Sequence, residues 1–307
     1  MNRRRQDFHR SYSYSYSVAK PKSRKRFKRG ITLTSLFVVA FLVILAAKSL
    51  LPSMQSKAHG QSLSALTLTK KSAPINQALM ASQVNQVINN SNLEVGVSII
   101  DLTNNQRYDY GLGDTEYIAA STTKLLSASL FLHDVEQGQD SLSQPLGDST
   151  AQAEMQKMIV ISDDDAWEDF NNFLGHPALL QYARSLGMNS YDPDNNTITS
   201  DDLALLLDRL HQGKLLNTQH TNLLLGYMAQ ADYTQYIGAV IPSGVKFYHK
   251  IGFLDDRVMD AAIIDNGKHP YALVIFTKDP SGDSYNQTEG LEVFHDITGA
   301  TLTAFTH

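Results

Sequence analysis

Two strand-like runs open the globular part of this chain and three close it, with a long helical stretch between them. Leu93 to Leu102 (LEVGVSIIDL) and Gln106 to Gly111 flank an Asn104-Asn105 turn, as two strands of a hairpin do. Phe247–Phe253, Val258–Ile264 and Tyr271–Thr277 make the second set. Helical spacing precedes the first set, at Ile75 to Ile88, and follows the last, at Thr288–Phe305. This order predicts an α/β (α+β) domain. One antiparallel sheet, flanked by helices, is completed by both ends of the domain, with an all-helical insertion between.

Within the insertion, Leu125 to Leu132 is apolar nearly all round, the mark of a buried helix. Further helices are expected at Asp165–Phe173, Pro177–Leu186, Ser200–His211 and Thr218–Ala229. Thr199-Ser200-Asp201-Asp202 supplies a capping residue and first-turn acids for the third of these.

The chain ahead of residue 74 is built differently. Residues 1–29 hold eleven Lys/Arg against the single acid Asp7, whereas the remainder holds 15 Lys/Arg against 30 Asp/Glu. Ile31 to Ala47 carries no charge, and Leu50 and Leu51 extend it beyond Lys48. That length just suffices for a transmembrane helix, and the basic flank predicts that its N-terminal side stays in the cytoplasm. A cleaved signal peptide would have a shorter basic region and a small-x-small site after the apolar run. The expected organisation is a basic cytoplasmic arm (1–30), a single-pass anchor in the cell membrane (31–51), a Ser/Lys/Thr/Gln-rich linker (52–73) and an outward-facing domain (74–307). Ser11 to Ser17 alternates Ser and Tyr inside the arm and reads as disordered. The arm's charge reads as a topology signal, so no nucleic-acid partner is expected.

Three Ser-x-x-Lys tetrads occur, at Ser17/Lys20, Ser121/Lys124 and Ser243/Lys246. The first lies in the arm and the last in a Pro-Gly turn. Only Ser121/Lys124 leads into a buried helix, where Lys124 lies one turn beyond the serine on the same face. A serine hydroxyl becomes a nucleophile when a neighbouring base takes its proton. The chain has no cysteine, which excludes disulfides, a thiol nucleophile and thiolate metal sites. Its histidines lack metal-site spacing, and neither a metal nor a cofactor is expected.

Ser121-Thr122-Thr123-Lys124 is followed by Ser162-Asp163-Asp164, in a break before a helix, and by Lys250-Ile251-Gly252, at the end of a strand candidate. Penicillin-recognising serine hydrolases carry Ser-x-x-Lys, Ser-Asp-Asn and Lys-Thr-Gly in this order. Residues 74–307 therefore resemble class A β-lactamases and their D,D-peptidase relatives. Pro242-x-Gly244-Val245-Lys246 leading into His249-Lys250, and Thr199-Ser200-x-Asp202 opening a helix, extend the likeness. The resemblance implies acyl transfer through an acyl-serine, on β-lactams or the D-Ala-D-Ala-type stem peptides of peptidoglycan. Ser121 would be the nucleophile, Lys124 its base, and Ser162 the proton donor to the leaving nitrogen. Asp164, Lys250, Ile251 and Gly252 would bind substrate, with Lys250 supplying positive charge for a carboxylate and holding Ser162. The N–H groups of Ser121 and Phe253 would form the oxyanion hole.

Three departures qualify this expectation. Asp164 stands where the family has Asn, and an ionised Asp accepts hydrogen bonds but donates none. A carboxylate beside Lys124 also favours its ammonium form. Ile251 replaces Thr and removes a hydroxyl, a loss of roughly 1.5–3 kcal/mol where that hydroxyl would bond a charged substrate group. Between Gly187 and Thr199, where class A enzymes carry a deacylating Glu, this chain has only the acids Asp192 and Asp194. Slow deacylation is therefore expected. The competing expectation is a degenerate wall-peptide binding or scaffold module, against which the retention of Ser121, Lys124, Ser162 and Lys250 speaks. Simpler structural roles are a helix-capping acidic cluster for Asp163 to Asp165, packing beside the site for His249, and core packing for Trp167.

Overall fold

The computed structural model describes residues 75–282 and 284–305, so the expected arm, anchor and linker lie outside the described residues. Among the described residues no helix is long and apolar enough to cross a membrane. Helix α1 (Gln77–Asn90) leads into strands β1 (Glu94–Asp101) and β2 (Arg107–Gly111), and Asn105 takes the left-handed turn between them at φ 63°. Then come β3 (Tyr117–Ile118), a 3₁₀ turn at Ala120–Thr123 and α2 (Lys124–Glu136). The short strands β4 (Pro145–Leu146) and β5 (Ser149–Thr150) precede α3 (Ala151–Val160), α4 (Asp164–Leu174) and α5 (His176–Ser185). Strand β6 (Thr197–Ile198), α6 (Ser200–His211) and α7 (Thr218–Met228) complete the insertion. The chain returns through a second 3₁₀ turn at Ile237–Val240 to β7 (Lys246–Leu254), β8 (Arg257–Asp265) and β9 (Tyr271–Lys278), and ends in α8 (Gln287–Phe305).

The five long strands form one antiparallel sheet in the order β2-β1-β9-β8-β7, closed by β1 pairing with β9 across the whole insertion. Its central strands are buried on both faces, which is why they read as continuous apolar runs. Along β9, Tyr271, Leu273 and Ile275 join the core under α1 and α8, while Ala272, Val274 and Phe276 join the core shared with the insertion. Helix starts are set by side-chain oxygens that accept the free N–H groups of the first turn. Asn76, Thr150, Asp163, Thr199 and Asn217 each do so.

The expected helices and long strands are present, most ends shifted by no more than two residues, while α2 runs four residues past Leu132 to Glu136. Helix α3 was not expected. Its stripe runs Ala151, Glu154, Met155, Met158, Ile159, and the buried Glu154, paired with Lys157 at 2.9 Å, interrupts the apolar period that announces a helix. The two-residue ladders β3–β6 and β4–β5 are too short to carry a period.

Phe170 anchors α4, its ring meeting Phe131 edge to face at 5.1 Å inside the insertion core. Phe170→Ala is expected to cost about 3–5 kcal/mol, because the cavity cannot close fully. Denaturant unfolding of the full chain measures it.

Candidate active site

Strand β7 lies at the open edge of the sheet, and its alternation separates two sets of side chains. Lys250 and Gly252 face the insertion, whereas His249, Ile251 and Phe253 face the side of α1 and α8. A Cβ on Gly252 would lie 2.9 Å from the Ser121 nitrogen and 3.0 Å from the Ala119 oxygen. Glycine is therefore what lets the strand lie directly against the turn that carries Ser121.

That turn is strained and held from outside. Ala120 has φ 48°, a left-handed conformation costly for a residue with a Cβ. Asn196 clamps it: its Nδ2 donates to the Ala120 carbonyl at 2.9 Å and its Oδ1 accepts from Thr123 Oγ1 at 2.6 Å. The Asn196 carbonyl accepts from Ala119 N–H at 2.8 Å. Ser121, partly exposed, sits one turn before Lys124, whose backbone N–H donates to the Ser121 carbonyl.

Ser162 lies in the break between α3 and α4 at φ 60°, and Asp163 behind it caps α4. Two ammonium groups converge there. Lys250 Nζ donates to Ser162 Oγ at 2.8 Å and to the Ile251 carbonyl at 3.0 Å. Lys124 Nζ donates to the Ser162 carbonyl at 2.7 Å and to Asp164 Oδ1 at 2.6 Å, with a longer contact of 3.4 Å to Ser162 Oγ. Its hydrogen bonds go to Ser162 and Asp164, and none joins it to Ser121 Oγ. The ring of Trp167 lies 5.3 Å from the same ammonium, within cation–π range, and Trp167 Nε1 donates to Ser127 Oγ.

Burial sets the ionisation of both lysines. It pulls Lys124 below the usual lysine range, while the hydrogen bond and charge of Asp164 oppose the shift. The Lys124 side chain is 0% exposed and that of Asp164 82%, so the carboxylate reaches in from solvent. Burial, aided by the charge of Lys124, takes Lys250 down to about 7. Behind the strand, burial lowers His249, but Asp260 at 3.0 Å and the Ala231 carbonyl outweigh it and leave the imidazole raised.

Ser121, Lys124, Ser162, Asp164, Lys250 and Gly252 thus come together from the 3₁₀ turn, α2, the α3–α4 break and β7. Ile251 differs from the expectation of a substrate-binding side chain. It is buried in the core beneath the sheet, so only its backbone is available to a ligand. His249 is more than packing, being the partner of Asp260. Asp192 is engaged within its own loop, by Asn195 and the Asp194 N–H, and Asp194 by His176 at the start of α5. From that segment Asn196 reaches the Ser121 turn instead, and no spacing in the sequence marked it. Trp167 packs against the insertion core, with the Lys124 ammonium over its ring. Among the described residues no group of three or more His, Cys, Asp or Glu could hold a metal ion.

Asn196→Gly keeps the left-handed backbone and removes both side-chain bonds to the turn. It is expected to cost about 1–3 kcal/mol in denaturant unfolding, and Asn196→Ala more, because alanine adds backbone strain.

Comparison with known structures places this geometry. PBP-A is 23% identical over 76% of this chain and 98% of its own, with a TM-score of 0.67. A mutant of it has been solved as an acyl-enzyme complex with penicillin G. The β-lactamase of Sphaerobacter thermophilus DSM 20745 is 23% identical over 76% of this chain and 98% of its own, with a TM-score of 0.66. An ancestral (GNCA) class A β-lactamase is 20% identical over 74% of this chain and 100% of its own, with a TM-score of 0.68. These likenesses establish the fold. No curated protein matches the sequence. The family model described as the beta-lactamase enzyme family matches residues 79–305, a span that runs from α1 to the end of α8 and includes all three motifs. The chain therefore belongs to the beta-lactamase enzyme family.

Proposed function

We propose that this chain is an acyl-serine hydrolase acting on β-lactams or D-Ala-D-Ala-type wall peptides, with acylation faster than deacylation. The observation that carries the reading is the convergence of two buried lysines on Ser162, beside the turn that presents Ser121. Lys124 in its neutral form takes the Ser121 proton as Oγ bonds to the substrate carbonyl carbon. The N–H groups of Ser121 and Phe253 receive the developing oxyanion. As the C–N bond breaks, Ser162 gives its proton to the leaving nitrogen and regains one from Lys124 across their 3.4 Å contact. Lys250 supplies positive charge for a substrate carboxylate. Release needs a base for water, and the side chain that reaches the Ser121 turn from the 187–199 segment is the amide of Asn196, which cannot take a proton. The acyl-enzyme would accordingly persist, as in a penicillin-binding protein.

The domain would face outward from a cell membrane, anchored by residues 31–51 with the N-terminus in the cytoplasm. The charge-free run after a dense basic flank supports this placement. A second reading, a non-catalytic wall-peptide binder, is favoured by the 2.6 Å ion pair of Lys124 with Asp164, which favours the charged form against the pull of burial.

Intact mass of the full chain after incubation with a reporter penicillin separates the two. An adduct that disappears in Ser121→Ala is the expected result. No adduct at millimolar reagent and long times would leave only the binder. In the same assay Asp164→Asn should acylate about tenfold faster, the effect of roughly one unit in the ionisation of Lys124. A slower reaction would show that Asp164 helps rather than hinders.

A further inference from the structure

The segment between α7 and the second 3₁₀ turn joins the two walls of the cleft. On one side Asp232 N–H donates to the Val160 carbonyl at 2.9 Å, two residues before Ser162. On the other, His249 Nε2 meets the Ala231 carbonyl at 3.3 Å, one residue before Lys250. Between these fixed points and the rim, Tyr233 adopts φ 67°, a conformation rare for a bulky residue. A strained residue persists only where its surroundings over-determine it, and such residues collect at ligand sites.

The strain does not bury the ring. Tyr233 is 50% exposed and meets Phe253 edge to face at 5.1 Å. Phe253 is itself 37% exposed and rests on the buried Tyr236 at 5.6 Å, which packs on Phe294 of α8. Across the Val160 contact, Ile161 is 54% exposed immediately before Ser162. Three solvent-facing apolar side chains thus neighbour Ser162, Lys250 and Gly252, and two of them are braced from behind by aromatic rings. Apolar surface braced from behind and left facing water beside a cleft is of the kind that marks a ligand-binding groove.

Resting on the acyl-serine reading above, we propose that Tyr233 and Phe253 are specificity-determining residues. They form an aromatic shelf for an apolar or aromatic substituent on the leaving-group half of the substrate. The side follows from the chemistry: Ser162 protonates the leaving nitrogen, and the shelf is tied to the segment that carries Ser162. The free edge of β7 offers main-chain groups to an extended ligand, with Lys250 and Gly252 on one face and Phe253 on the other. A ligand lying there would place alternate substituents against the shelf. Ile251, buried below, leaves that face without a side-chain hydroxyl.

The test uses two cephalosporins with the same acyl side chain, one bearing a styryl group on its leaving half and the other a methyl. Reversible binding is measured calorimetrically on full-chain Ser121→Ala, and adduct formation on the native chain. The styryl compound is expected to bind about tenfold tighter, as a well-placed aromatic contact allows. Adding Tyr233→Asn, which tolerates the left-handed backbone, should bring the ratio near unity, while Tyr233→Phe should keep it. Equal binding of the two compounds, binding of neither, or a ratio untouched by Tyr233→Asn would overturn the shelf. Preferential binding without any adduct on the native chain would uphold the shelf and refute the acyl-serine chemistry.

Discussion

Two lysine ammonium groups, both withdrawn from water, share one serine at the centre of this domain. Lys124 arrives from the start of α2 and Lys250 from β7, and Ser162 accepts from both. Burying one such charge is costly and burying two beside each other is costlier, so their surroundings must hold them. The helical insertion supplies the Ser162 carbonyl and Asp164, and the sheet supplies the Ile251 carbonyl. These contacts pin the insertion to the sheet edge where Gly252 touches the Ser121 turn. The same strain makes the site responsive to pH. Lys250 falls to about 7 in the fold against its unfolded value of 10.5. Between those values the unfolded chain binds more protons, so this group's destabilising contribution is full below about 7 and fades as pH rises towards 10.5.

The fold was legible because both of its periods survive in the sequence. The central strands read as unbroken apolar runs, since they are covered on both faces, and α2 reads as buried because it is surrounded. Ser200–His211 was legible to the residue, Thr199 capping it through Asp202 N–H at 3.1 Å. What stayed hidden depends on partners distant in sequence. Helix α3 was masked by a carboxylate that its neighbour Lys157 neutralises. Asn196 acts on a turn 76 residues away, and Asp260 meets His249 only once β7 and β8 pair. The three motifs were readable as a set, and the fold brings them together at the edge of the sheet. Ile251 was readable as a departure, though not as a residue whose side chain turns into the core.

The three acids of the Asp164 position and the 187–199 segment are placed very differently. Asp164 is solvent-exposed and reaches inward to the buried Lys124 ammonium. The 187–199 segment commits Asp192 to its own loop and Asp194 to His176 of α5, and sends the Asn196 amide to the turn. Asn196 acts on the turn by geometry: its three contacts hold Ala120 in the left-handed conformation that precedes Ser121. A segment short enough to make that clamp is occupied in making it. The short 187–199 segment thus contributes to the shape of the Ser121 turn through Asn196.

Edge strands in soluble domains are usually blunted by charge, bulges or a covering segment, because an open edge recruits other strands. Here the edge of β7 opens beside the Ser121 turn, and its cover is partial. The Ala231–Tyr236 segment crosses near Phe253 and stops, held by Val160 on one wall and His249 on the other. The buried His249–Asp260 pair therefore links two functions. It neighbours Lys250 in the strand, and Asp260 is among the charges that oppose its fall. It also fixes the aromatic rim through the Ala231 carbonyl. The electrostatics of Lys250 and the placement of the adjoining apolar surface thus both depend in part on one buried pair beneath the sheet.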